Sequence, residues 1–185
     1  MQIKPLQQDK EIEKAILMLV LCVRQKCRNA KPLILHSLRV GFKLLEIGQP
    51  KEVVIAGVLH DLIEDTDCKI SKIKKEFGLK VANLVLALTR EHVEGYEDYI
   101  KQRKIFIIKI KKAGKRAMII KIVDANDNLL YVPLIKNNKI LKEVLWKHRL
   151  VMKEFKADIG DLDIFKEYCQ KYKMIVKETI FKIKK

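Results

Sequence analysis

With 185 residues the chain is long enough to bury a proper core and is read as a single domain. A 49% hydrophobic content with few glycines or prolines argues against disorder, and the apolar run Ala15 to Val23 falls short of the roughly 20 residues a bilayer span needs. The formal charge of +16, from 39 Lys plus Arg against 23 Asp plus Glu, attracts nucleic acid or phosphorylated metabolites, but the lysines are spread along the whole chain as on a solvated exterior.

The predicted elements follow one another as helices. Lys10 to Asn29 carries Ile12, Ile16, Leu19, Val20 and Val23 near a 3.6-residue period, with Asp9 as its N-cap. Asn29-Ala30-Lys31-Pro32 breaks it, and Leu33 to Ile47 resumes the period until Gly48-Gln49-Pro50. Lys51 to Asp65 is read as one helix, apolar from Val53 to Leu59 and then abruptly polar at His60-Asp61-Leu62-Ile63-Glu64-Asp65-Thr66. Ser71 to Phe77 ends at Gly78, and Leu79 to Thr89 follows with Val81, Leu84, Val85 and Leu88 as its stripe.

Arg90 to Gly95 reads as a polar loop. Tyr96 to Lys112 is assigned to helix over strand despite the β-branched cluster Ile105 to Ile110, because no hairpin signal follows it. Ala117 to Tyr131 turns from apolar to polar at Asp124 and is stopped by Pro133; Asn138 to Ala157 and Leu162 to the C-terminus complete the chain, with Lys182 to Lys185 frayed. No strand pair, repeat or linker emerges, so the class is all-α, a bundle of roughly eight to ten helices. The motif-bearing core covers about residues 10–135 and the C-terminal helices about 138–183. Cys22, Cys27, Cys68 and Cys169 match no CxxC or zinc-ribbon spacing, and no secretory leader opens the chain; they are read as reduced, mostly buried thiols of a cytosolic protein.

The chemistry concentrates in His60 to Thr66. On a helix His60 and Glu64, like Asp61 and Asp65, stand four residues apart on neighbouring stripes. Carboxylates beside an apolar run are costly unless paired, hydrogen-bonded or metal-bound. His36, on a face with Leu33, Val40 and Leu44, is taken alone a core histidine, and Asp124 taken alone is a solvent-facing carboxylate with Asn128 as its hydrogen-bond neighbour. Brought to one meeting point, these residues give two imidazoles and two carboxylates, a mixed N/O set suited to Mn²⁺, Fe²⁺ or Zn²⁺.

In this order, His36, the pair His60-Asp61 and Asp124 resemble the H…HD…D signature of the HD-domain phosphohydrolases, an all-helical, metal-dependent superfamily. His60 to Thr66 further resembles the HDxxEDT motif of the hydrolase domain in RelA/SpoT-type alarmone enzymes, and Lys121-Ile122-Val123-Asp124 with Asn128 is similar to that family's KLAD…N segment. The resemblance runs from about residue 28 to 130. It implies that His36, His60, Asp61 and Asp124 bind one Mn²⁺, that Glu64 and Asp65 are the catalytic acidic pair handling the attacking water, and that Arg28, Lys121 and Asn128 meet the substrate.

The departures lie on the substrate side. Where the family reads S-G-E-P-Y-I-x-H-P, this chain keeps Pro32 and His36 but has Leu33 in place of the Tyr; Leu130 and Tyr131 replace an Arg and a Thr, and Cys27 stands where relatives carry a second cation. The resulting expectation is a stand-alone cytoplasmic (p)ppGpp 3′-pyrophosphohydrolase with a small phosphorylated nucleotide as its partner, no membrane association, and an oligomer compatible with the sequence. The alternatives are an HD-type nucleotidase or phosphodiesterase acting on another nucleotide and, from a different class, a non-catalytic basic nucleic-acid-binding module. Sparse aromatics weigh against the last.

Overall fold

The computed structural model describes residues 7–29, 31–90 and 96–183, in which nine α-helices and one 3₁₀ helix follow in chain order and no strand occurs. They are α1 (Gln7–Gln25), α2 (Leu33–Glu46), α3 (Lys51–Leu59), α4 (Leu62–Asp65), α5 (Ile70–Leu88), α6 (Tyr96–Lys112), α7 (Lys115–Asn128), the 3₁₀ segment Leu129–Leu134, α8 (Asn138–Ile159) and α9 (Asp163–Ile183). The all-α class is as the sequence predicts. The chain divides into two compact units, Met1–Arg90 and Glu91–Lys185.

The first unit is built around α3. Every residue from Val53 to Leu59 is buried, because α1, α2 and α5 all pack on this helix. A fully buried Val, Leu or Ile contributes about 1.5–3 kcal/mol, so this run anchors the unit. Glycines set how closely α2 and α3 approach: a Cβ on Gly41 would lie 2.4 Å from Val58 Cγ2, and one on Gly57 would lie 2.2 Å from Leu44 Cδ1. The expected break at Gly78 is present as a kink within α5, where Gly78 takes φ +82°, a conformation that favours glycine.

Several expectations are corrected. Helix α1 stops at Gln25 rather than Asn29, and Asp9 lies in its first turn instead of capping it. The chain leaves the helix there because the Arg28 amide donates to the Asp65 carbonyl at 2.8 Å, a long-range bond that a continuing helix would forbid. The single helix expected over Lys51 to Asp65 is divided into α3 and α4 by His60 and Asp61. Both keep right-handed helical angles, but the His60 imidazole sits 2.7 Å from the Gly57 carbonyl, the acceptor that a regular helix offers to the Asp61 amide. Finally, of the four cysteines only Cys22 is buried; Cys27 is exposed, Cys68 and Cys169 are intermediate, and all four are free thiols.

In the second unit α7 is the central helix, buried from Ala117 to Ile120 and from Ile122 to Asn126, with α6, α8, α9 and the 3₁₀ segment around it. The β-branched cluster of α6 is helical, burying Phe106, Ile107 and Ile110 and leaving Ile105 and Ile108 exposed. The helix expected to reach Tyr131 ends at Asn128 and tightens into the 3₁₀ segment, which accommodates Pro133 before the backbone turns extended at Ile135. Asn137 caps α8, its side-chain oxygen accepting from the Lys139 and Ile140 amides at 2.9 and 3.1 Å. The loop expected at residues 91–95 lies outside the described residues, as do residues 184 and 185 of the expected frayed end.

Candidate metal and phosphoryl site

In the first unit three of the predicted ligands converge. His36 on α2 and His60 after α3 are 0% and 2% exposed. Their Nε2 atoms are 3.3 Å apart, and the rings meet edge to face with centroids 5.1 Å apart. The Asp61 carboxylate reaches both, with Oδ1 3.2 Å from His60 Nε2 and Oδ2 3.5 Å from His36 Nε2. Because the Gly57 carbonyl only accepts, the bond to it places the proton of neutral His60 on Nδ1 and leaves Nε2 as a lone pair aimed at His36 and Asp61. A backbone carbonyl fixing the second nitrogen in this way is the support that metal-bound histidines usually have. This donor set fits a divalent transition metal.

The acidic pair next to it is held from outside α4. Glu64 Oε1 accepts from the Arg90 backbone amide at 2.6 Å and from Arg90 Nε at 3.2 Å, and Oε2 pairs with the same guanidinium. Asp65 accepts from Asn29 Nδ2 at 2.6 Å. Burial raises the Asp65 carboxyl above the usual aspartate range; the Asn29 bond opposes that rise, the charges of Asp61 and Glu64 add to it, and Arg90 offsets it in part. Arg28, predicted to meet substrate, bonds the Thr66 carbonyl and the Asp67 carboxylate through its guanidinium. Nothing in the sequence singles out Arg90 or Asn29. Arg90 reads as the start of a loop and Asn29 as a helix breaker, and neither carries a local signal for partners that lie 26 and 36 residues away.

In the second unit Asp124 is 4% exposed on α7. Lys121 Nζ lies 2.6 Å from Oδ2, and Asn128 Nδ2 bonds Oδ1. The two predicted substrate-binding residues therefore sit one on each oxygen of the predicted ligand, at i−3 and i+4 of the same helix face. Lys121 also stands 5.7 Å from the Phe106 ring centroid. Nearby, and unforeseen, is a buried pair from the two C-terminal helices: His148 Nδ1 and the Tyr168 hydroxyl are 2.7 Å apart. Burial, and then the Lys121 charge, lowers the His148 pKa to about 4.

These residues define an all-helical protein in which two buried histidines and a partly exposed aspartate form a set suited to a divalent cation. Residues 16–144 match the family described as HD domain, and the chain belongs to the HD domain family. It is 31% identical over 166 residues to the guanosine-3′,5′-bis(diphosphate) 3′-pyrophosphohydrolase of Aquifex aeolicus, a match that covers 84% of this chain and 24% of that protein. It is 29% identical over 164 residues to a GTP pyrophosphokinase of Streptomyces coelicolor, covering 83% of this chain and 19% of that one. The chain thus spans about a quarter or less of the length of these curated relatives. Among solved structures, a metazoan ortholog of SpoT described as hydrolyzing ppGpp superposes with a TM-score of 0.74 at 20% identity, covering 96% of this chain and 98% of that chain. At that identity the likeness concerns the fold.

Proposed function

We propose that the chain is a metal-dependent phosphohydrolase that cleaves the 3′-pyrophosphate of guanosine tetra- or pentaphosphate, yielding GDP or GTP and pyrophosphate. The observation that carries this reading is the convergence of two buried imidazoles and Asp61, with His60 fixed in the tautomer that leaves Nε2 as a donor to a cation. Asp124 is assigned as the fourth ligand and both units to one HD domain; the family match, which runs across both units, supports this. The mixed N/O donor set suits Mn²⁺, with Fe²⁺ and Zn²⁺ as alternatives. A cation of this kind, when bound, acidifies a water and polarises a phosphoryl oxygen.

The chain's own groups then divide the remaining work. Asp65, its carboxyl raised by burial, takes the proton of the attacking water, and Asn29 orients it. Glu64, held by Arg90, orients that water from the neighbouring position. Lys121 and Asn128 steady Asp124 and, with Arg28, are assigned to the nucleotide. A lysine ammonium has three donors, so the Asp124 bond leaves Lys121 able to serve a phosphate as well. No helix among the described residues is long and apolar enough to cross a membrane; a cytoplasmic location and a free nucleotide substrate belong to the same proposal. The names of the relatives support the substrate, while the substitutions at Leu33, Leu130 and Tyr131 favour, as a second reading, a nucleotidase acting on another nucleotide.

The test is a panel of nucleotides incubated with the Mn²⁺-supplemented protein, scored for pyrophosphate against orthophosphate, with His60→Ala in parallel. Pyrophosphate from guanosine tetraphosphate, absent in the variant, supports the assignment. Orthophosphate as the only product contradicts it.

A further inference from the structure

A second cleft lies within the second unit, between α6 and α8. Ile100 and Lys104 line it from α6, and Lys139, Lys142, Glu143 and Trp146 line it from α8, around a volume of about 490 Å³. Sites for small molecules commonly enclose about 300–1,000 Å³. On α8 these positions form one stripe at i, i+3, i+4 and i+7. Two residues beyond Trp146, His148 lies about 200° further round the helix, buried against Tyr168. The cleft is therefore on a different face of α8 from the side that feels the charges of Lys121 and Asp124.

Along the α6–α8 contact the described side chains differ in charge from one end to the other. At the far end Lys111 of α6 pairs with Asp158 of α8 at 2.9 Å and donates to the Glu154 carbonyl at 3.1 Å, so a lysine meets a carboxylate. At the cleft end, among the described residues, the ammonium groups of Lys104, Lys139 and Lys142 and the carboxylate of Glu143 line one space. Convergent like charges raise the local potential and favour an anion there. The half-buried Trp146 adds a flat apolar wall, on which a base stacks and against which cations also sit.

We propose that this cleft is a nucleotide site distinct from the hydrolytic one, taking a nucleoside di- or triphosphate with its base on Trp146 and its phosphates on Lys104, Lys139 and Lys142. Glu143 accepts from an exocyclic amine of the base. The volume of the cleft lies within the range of small-molecule sites, and the inference stands independently of the hydrolytic reading.

Trp146 is the only tryptophan of the chain, so its fluorescence reports occupancy directly. GDP is titrated into the full chain in EDTA, which removes divalent cations from the assay, and inorganic pyrophosphate, guanosine and a single-stranded oligonucleotide are titrated separately. The expected result is saturable quenching by GDP that is at least tenfold tighter than by pyrophosphate or guanosine, weakens with salt, and is unchanged in His60→Ala. The double variant Lys104→Gln/Lys142→Gln, at two exposed positions, raises the apparent Kd at least tenfold, and Lys139→Gln alone raises it several-fold. Absence of saturable quenching, an unchanged Kd in both lysine variants, or tighter binding of the oligonucleotide than of GDP would each overturn the proposal.

Discussion

His60 donates its Nδ1–H to the carbonyl oxygen of Gly57 at 2.7 Å, and this one bond does two things. It interrupts the helix between α3 and α4, and it fixes the imidazole so that Nε2 faces His36 and Asp61. Replacing His60 with Gln keeps a polar side chain of similar reach but removes the ring that satisfies both ends. The expected outcome is loss of stoichiometric Mn²⁺ binding and a fall in turnover of at least 100-fold, with far-UV circular dichroism unchanged. Metal content by elemental analysis and pyrophosphate release check the two parts.

Gly41 and Val58 set the spacing of the segments that carry His36 and His60. A Cβ at position 41 would lie 2.4 Å from Val58 Cγ2, and Val58, 2% exposed and β-branched, has little freedom to turn aside. Gly41→Ala should cost about 1–3 kcal/mol through overpacking and weaken metal binding, because α2 carries His36. Urea unfolding gives the first and a Mn²⁺ titration the second.

Glu64 depends on Arg90 from the far end of α5. Arg90→Ala should lower kcat about 10- to 100-fold, the usual range for losing an orienting partner of a catalytic group, while leaving Mn²⁺ affinity near the parent value. Arg90→Lys should recover only part of the loss, since a lysine lacks the planar fork that serves both carboxylate oxygens. Steady-state kinetics alongside metal titration separates the two effects.

These dependencies also mark where sequence reading succeeds and stops. Local signals are legible: Pro50 before α3, Gly78 at the kink of α5, and the limits of α6, which match the predicted Tyr96 to Lys112. His60, Asp61, Glu64 and Asp65 are legible as a group because they fall within one short stretch of chain, His60 to Asp65. Arg90 on Glu64 and Asn29 on Asp65 are tertiary contacts across 26 and 36 residues, with nothing in the local pattern to announce them. The division of α3 from α4 is hidden because His60 and Asp61 retain helical angles and only a side-chain bond breaks the ladder. The His148–Tyr168 pair joins two helices that each read as ordinary amphipathic segments.

Asp65 carries a raised pKa, chiefly from burial. Ionising it at neutral pH therefore disfavours the folded state, and its contribution to stability declines as pH rises from the ordinary aspartate range through the raised value. Asp65→Asn removes that charge. The variant should be at least as stable as the parent at pH 7 by thermal unfolding and should lose about 10²- to 10⁴-fold in turnover, as expected for a general base.

His148 works in the opposite direction. Its folded pKa of about 4 lies below the ordinary 6.5, so the unfolded chain takes up a proton first as the solution is acidified. Stability from this group is complete above about pH 6.5 and declines until pH 4, by roughly 3 kcal/mol in all. Denaturant unfolding between pH 7 and 4 should show that slope, and His148→Gln should flatten it.

The central claim is tested most directly by titrating Mn²⁺ into metal-stripped protein while following pyrophosphate release from guanosine tetraphosphate. Activity is predicted to be absent at the start, to rise to a plateau at about one Mn²⁺ per chain, and to stay absent in Asp124→Asn at every concentration. Turnover by the stripped protein, or a plateau of parental height in Asp124→Asn, would contradict it.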